Sequence, residues 1–187
     1  MDATEAAAVL ARARQGDSDA FRALVERHSR SVFRLAFRMT GNEQDAEDVV
    51  QESFLRAYRQ LPRFEARANF GTWLYRIVAN CSLDLMRARQ TRQAVARMDS
   101  LDDIDTTPVP AVGPGPDRLA QSAEIKARVE AAMDGLSPLE RAAFTLRHHE
   151  GRSIAEISRL LGLRTSATKH SVFRAVRKLR TALAVMR

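Results

Sequence analysis

The 187-residue sequence predicts an all-α protein of two helical domains joined by a flexible linker. Three observations predict it. Apolar residues recur at three- and four-residue spacing through residues 1–92 and again through 122–187, the period of helices that each bury one face. No stretch shows the apolar/polar alternation of a half-buried strand. Between the periodic parts, residues 98–117 hold four of the six prolines (Pro108, Pro110, Pro114, Pro116), two glycines and five aspartates, with no Lys or Arg. Proline blocks helix and sheet ladders, and so polar a segment buries little apolar surface. The division that follows is a first domain over 1–92, a linker over 93–122 and a second domain over 123–187.

In the first domain, Asp17 or Ser18 caps a helix whose apolar face is Phe21, Leu24, Val25, Val32, Leu35 and Met39. Thr40-Gly41 ends it, with glycine supplying the left-handed residue. Asn42 caps the next helix, where Glu43, Asp45 and Glu47 complement the positive N-terminal dipole. Its buried face is expected to be Ala46, Val49, Val50, Ser53, Phe54, Ala57 and Tyr58, and Leu61-Pro62 stops it. A third helix opens at Phe70. Phe70, the sole tryptophan Trp73, Leu74, Ile77, Val78 and Cys81 form one apolar stripe, while Arg76, Asn80, Asp84 and Arg87 fall on the opposite face and run on to Arg89, Arg92 and Arg97. One side requires a protein core; the other offers amide and cationic groups to something negatively charged. The lone cysteine, Cys81, cannot form an internal disulfide and reads as a packed thiol.

The second domain carries two capping boxes, Ser137-Pro138-Leu139-Glu140 and Ser153-Ile154-Ala155-Glu156. The helix after Ser153 is short and ends at Leu161-Gly162-Leu163. A longer helix begins near Thr165 or Ser166 and runs towards Leu183. A short helix, a glycine turn and a longer helix make the helix-turn-helix pattern. Spacing buries Thr168, Val172, Val176 and Leu179 on the last helix and exposes Lys169, His170, Ser171, Arg174, Arg177 and Lys178. From Ser166 to Arg187 there are six Lys or Arg and no acidic residue. Cations that neutralise phosphates, beside Ser, His and Arg that reach base edges, suit the DNA major groove.

Composition narrows the classes further. The formal charge of +7 favours a nucleic-acid or anionic-membrane partner. No apolar run approaches a membrane span, and Met1-Asp2-Ala3-Thr4-Glu5 shows no secretory signal, so a cytoplasmic location is expected. Asp45, Asp48 and Glu52 share one helical face, which suits a solvated surface, a basic protein partner or a metal. His28, His148, His149 and His170 show no ligand spacing with them, and no metal or other cofactor is expected. No nucleophile triad, phosphate-cradling loop or nucleotide fingerprint appears, so no enzyme activity is expected. In the loop before Phe70, Phe64 lies among Arg63, Arg67 and Asn69. It either stacks an unpaired base or packs back onto the domain, and composition does not choose between them.

Three blocks together resemble the extracytoplasmic-function (ECF) class of bacterial sigma factors. They are the run from Asp45 to Tyr58, the run from Phe70 to Asn80 continuing to Asp84 and Arg87, and Leu136–Arg141 with Gly151–Ile157 and the helix beyond. Their order and spacing both match. The resemblance implies that Asp48, Gln51, Glu52 and Leu55 dock on the clamp helices of RNA polymerase, and that the region around Phe144 and Leu146 meets the polymerase flap. It implies that Arg63, Phe64, Asn69, Arg76, Asn80, Asp84 and Arg87 engage a melted −10 promoter element, one base being captured in a pocket. It implies that Ser166, Lys169, His170, Ser171, Arg174 and Lys178 read the −35 element. The linker is expected to thread the polymerase channel that later carries RNA, and an anti-sigma factor is expected to cover both domains. The last helix departs from the family: members often carry Thr-Val-Lys-Ser-Arg where this chain has Ala167-Thr168-Lys169-His170-Ser171, so base readout there is expected to differ. A stand-alone helix-turn-helix regulator is the rival reading, and it gives residues 45–58 and 70–80 no task.

Overall fold

The computed structural model describes residues 3–65, 69–99 and 117–184. Eight α-helices follow one another among these residues, with no strand: α1 (Ala3–Arg14), α2 (Ser18–Thr40), α3 (Glu43–Gln60), α4 (Phe70–Asp99), α5 (Asp117–Asp134), α6 (Pro138–Phe144), α7 (Ile154–Leu161) and α8 (Thr165–Leu183). The first domain is α1–α4. The caps form where their chemistry requires them. Asp17 accepts hydrogen bonds from the backbone N–H groups of Asp19 and Ala20, and Asn42 accepts one from Asp45. Gly41 closes α2 with φ 74°, a left-handed conformation that costs glycine nothing.

The apolar faces meet in one core: Leu24, Val32, Leu35 and Met39 of α2, Val49, Phe54 and Ala57 of α3, and Phe70, Leu74, Ile77 and Val78 of α4. Burying each large aliphatic or aromatic side chain contributes about 1.5–3 kcal/mol, so this face-to-face packing, more than helix propensity, holds the bundle. Tyr58 departs from expectation. It is 48% exposed, and its ring meets Phe21 edge to face at 5.0 Å. Its ring at the margin of the α3 face covers the core without entering it.

Helix α4 runs on to Asp99 and α5 starts at Asp117, so both helices continue into the stretch assigned to the linker. Linker residues 100–116 lie outside the described residues. In the second domain both capping boxes form, Ser137 with Glu140 and Ser153 with Glu156. A π-helical turn over Thr145–His149, which spacing did not signal, joins α6 to the loop before α7. Gly162, at φ 64°, makes the turn between α7 and α8. Met133, Leu136, Ala175 and Leu179 form a small second core.

The two domains share a core. Ala142, Leu146, Ile157, Leu160 and Leu161 pack in the same apolar cluster as α2 and α4. At the junction Arg38 of α2 pairs with Glu150 at 2.5 Å, the Thr145 hydroxyl donates to the Arg38 carbonyl at 3.4 Å, and the Arg152 guanidinium lies 4.7 Å from the Tyr75 ring centroid.

Candidate nucleic-acid interface

The α4 face opposite the core is built as the spacing predicts. Leu74, Ile77, Val78 and Cys81 are buried, Arg76, Asp84 and Arg87 are exposed, and Asn80 is half-buried. Asn69 precedes the helix and accepts a hydrogen bond from Gly71 N–H at 2.8 Å, which fixes the entry into α4. Between α3 and α4 lies a cleft of about 340 Å³ lined by Arg56, Gln60, Trp73, Arg76, Ile77 and Asn80. Trp73 and Ile77 give it apolar lining and Arg56, Gln60, Arg76 and Asn80 give it guanidinium and amide groups, a combination that suits a planar, hydrogen-bonding ring.

Arg56 and Gln60 escaped the sequence reading. Arg56 sits four residues after Glu52 and pairs with it at 2.6 Å, and it reaches Asp84 at 3.3 Å. The Glu52 hydrogen bond is the main cause raising the Arg56 pKa above its ordinary value. Asp84 would repel phosphate; with Arg56 beside it, the α4 face keeps its cationic balance. The i,i+4 spacing to Glu52 was the available signal, whereas the tertiary partner Asp84 was not readable.

Phe64 packs back onto the domain, one of the two places composition leaves open for it. It is 6% exposed, with its ring 4.8 Å from Trp73 and edge-on to Phe70 at 6.3 Å. In this arrangement the ring belongs to an aromatic cluster. Arg63 and Asn69 are exposed, and Arg67, also named in that loop, lies outside the described residues. Cys81 is buried, and burial raises its thiol pKa, as befits a packed thiol. On α3, Asp48, Gln51 and Leu55 are exposed and Glu52 half-buried, with Tyr58 continuing the strip.

On α8, Ser166, Lys169, His170, Arg174, Arg177 and Lys178 are exposed, joined by Phe173 at 66% exposure. Ser171 is a correction. It is 1% exposed and its hydroxyl donates to the Ala167 carbonyl at 2.9 Å. Ser171 and Ala175 occupy the buried seam with Thr168 and Leu179, leaving Val172 and Val176 half-buried. The seam keeps Thr168 and Leu179 and is turned by about 50°, half of the ~100° step per residue, from the expected one. Thr168 is tied across the turn, accepting a hydrogen bond from the Ser158 hydroxyl at 2.9 Å.

The geometry defines a class: a two-domain helical protein with a polar, cleft-bearing helix face in one domain and a basic helix-turn-helix in the other. Comparison with known proteins gives that class its family. Residues 24–92 match the family described as Sigma-70 region 2, and residues 126–179 match Sigma-70, region 4. The chain is 35% identical over 181 residues to the RNA polymerase sigma factor NccH of Alcaligenes xylosoxydans xylosoxydans, covering 94% of this chain and 92% of that protein. It is 37% identical over 161 residues to the ECF RNA polymerase sigma factor SigE of Mycolicibacterium smegmatis, covering 86% of this chain and 60% of the SigE length. The solved structure of CnrH in complex with the cytosolic domain of CnrY matches with a TM-score of 0.61 at 28% identity, covering 95% of this chain and 96% of that one. The chain is also 32% identical over 166 residues to the ECF RNA polymerase sigma-E factor of Salmonella typhimurium, covering 88% of this chain and 86% of that protein, and it belongs to the ECF class of RNA polymerase sigma factors. Among the described residues no helix is long and apolar enough to cross a membrane.

Proposed function

We propose that this chain binds core RNA polymerase and gives it promoter specificity, without catalysing a step itself. The strip of exposed Asp48, Gln51, Leu55 and Tyr58 with half-buried Glu52 docks α3 on a basic, partly apolar polymerase surface. Arg63, Asn69, Arg76, Asn80, Asp84 and Arg87 face the −10 element, and one unstacked base enters the cleft between Trp73, Arg76 and Asn80. Unstacking costs a few kcal/mol, offset by contacts on the cleft floor and rim. Ser166, Lys169, His170 and Arg174 enter the major groove at the −35 element, with Lys178 behind them.

The observation that carries this reading is the cleft of about 340 Å³ on the α4 polar face, directly beside the exposed α3 strip. A stand-alone regulator uses neither. CnrH is solved in complex with a cytosolic domain of another protein; by likeness, an anti-sigma factor holds this chain until a signal arrives. A gel shift on promoter DNA with and without core polymerase tests the proposal. Sequence-specific retention is expected only when both proteins are present. Tight specific retention by the chain alone, at two symmetric half-sites, would instead identify a stand-alone regulator.

A further inference from the structure

Glu140 is a buried carboxylate outside every face described so far. Its side chain is 4% exposed, and it lies at the third position of α6, where it completes a capping box with Ser137. One oxygen accepts from Ser137 N–H at 2.9 Å and from Lys178 Nζ at 2.8 Å. The other faces Arg174 Nε at 3.4 Å. Arg174 and Lys178 both belong to α8, and their side chains are 55% and 47% exposed.

A capping box needs only the Ser137 bond, so the two cations are an additional task. Glutamine at the same position would cap α6 as well, but it would not hold two positive charges. A carboxylate on the Nε edge of an arginine restrains the guanidinium plane. It leaves free the terminal nitrogens, which fork onto N7 and O6 of guanine. A carboxylate on a lysine cancels the charge that would otherwise seek phosphate.

We infer that Glu140 is a positioning residue for promoter reading: it aims Arg174 at one base of the −35 element and keeps Lys178 from acting as a free phosphate anchor. The inference rests on the proposed sigma-factor reading and deepens it at the second domain.

The test is initiation by holoenzyme on a template pool with a randomised −35 region, sequencing the transcribed templates. The wild type is expected to select a base at each contacted position. Glu140→Gln keeps the cap and should reduce the preference at one position by about tenfold, the discrimination a bidentate contact supplies. Arg174→Ala should lose the preference at that same position, and the double variant should lose no more than Arg174→Ala. Glu140→Gln should also steepen the salt dependence of promoter binding by close to one phosphate contact, and Lys178→Met should reverse that change. Glu140→Leu, which fills the site without a buried charge, should lose the same position and serves if the glutamine variant folds poorly. An unchanged profile, or uniform flattening at all positions, overturns the inference. A wild-type holoenzyme that enriches no −35 sequence overturns the sigma-factor reading beneath it.

Discussion

At the scale of single residues, Asn80 and Ser171 show what a helical pattern can and cannot tell. Asn80 lies opposite an apolar stripe long enough to fix the phase of α4, and the structure leaves it half-buried at the rim of a cleft. Asn80→Ala should change discrimination at one −10 position by about tenfold and leave the thermal midpoint within about 2 °C, as heparin-resistant complexes and calorimetry would show. Unchanged promoter selectivity would remove Asn80 from the interface. Ser171 was misplaced because α8 has small residues on both candidate seams, so apolar spacing could not phase it. Packing against α5 and α6 selects the seam containing Ser171 and Ala175. Ser171→Ala should therefore be silent in promoter choice, whereas Ser171→Arg should cost about 1–3 kcal/mol of stability by overpacking, read from urea unfolding. Phe64 was open from composition, and only its tertiary neighbours Phe70 and Trp73 decide it. Glu140 adds a pH dependence. Burial raises its pKa, but the Lys178 and Ser137 bonds outweigh that and hold it below its ordinary value of 4.5. A lowered carboxyl pKa contributes stability that is complete above the unfolded value and is lost as pH falls through the folded one. Unfolding of the second domain should thus become easier below about pH 4.5 in the wild type, and less so in Glu140→Gln.

At the scale of elements, caps and breakers were the most legible features. Asp17, Gly41, Asn42, Ser137, Ser153 and Gly162 all punctuate helices as their side chains or backbone freedom require. The continuation of α4 to Asp99 and the π-helical turn at Thr145–His149 were not legible, since neither is marked by a capping or breaking residue. Gly41 joins local and tertiary constraints. Its φ of 74° disfavours any side chain, and a Cβ there would collide with the Arg141 guanidinium of the second domain. Gly41→Ala should destabilise the protein by about 1 kcal/mol, the cost of a side chain at a left-handed cap, measured by chemical unfolding, because the flexible end of Arg141 can shift. A cost well above that value would mean Arg141 is held in place.

At the scale of the whole molecule, one apolar cluster joins two domains that, on the proposed function, act at separate promoter elements. Elements centred at −10 and −35 are about 25 base pairs apart, or about 85 Å of duplex at ~3.4 Å per pair. A compact chain of this length has a radius of gyration near 16 Å, so the domains have to separate before both elements are read. The junction suits that opening. The Nε atoms of Arg141 and Arg152 are buried there without hydrogen-bond partners among the described residues, and the buried Tyr75 hydroxyl has Arg152 and Glu150 beside it. Exposing them to water recovers bonds that offset part of the lost apolar contact. Glu150→Arg should break the pair with Arg38 and raise the radius of gyration in small-angle scattering by several ångströms, and adding Arg38→Glu should restore the compact value. The contact between the two helical regions was not legible in the sequence, because Arg38, Tyr75, Glu150 and Arg152 carry no spacing signal relative to one another. The most direct test of the central claim is run-off transcription with purified core polymerase on the promoter region of the chain's own operon. The account predicts a transcript from one defined start only when the chain is added. Failure to initiate from any such promoter, with an active core enzyme, would contradict it.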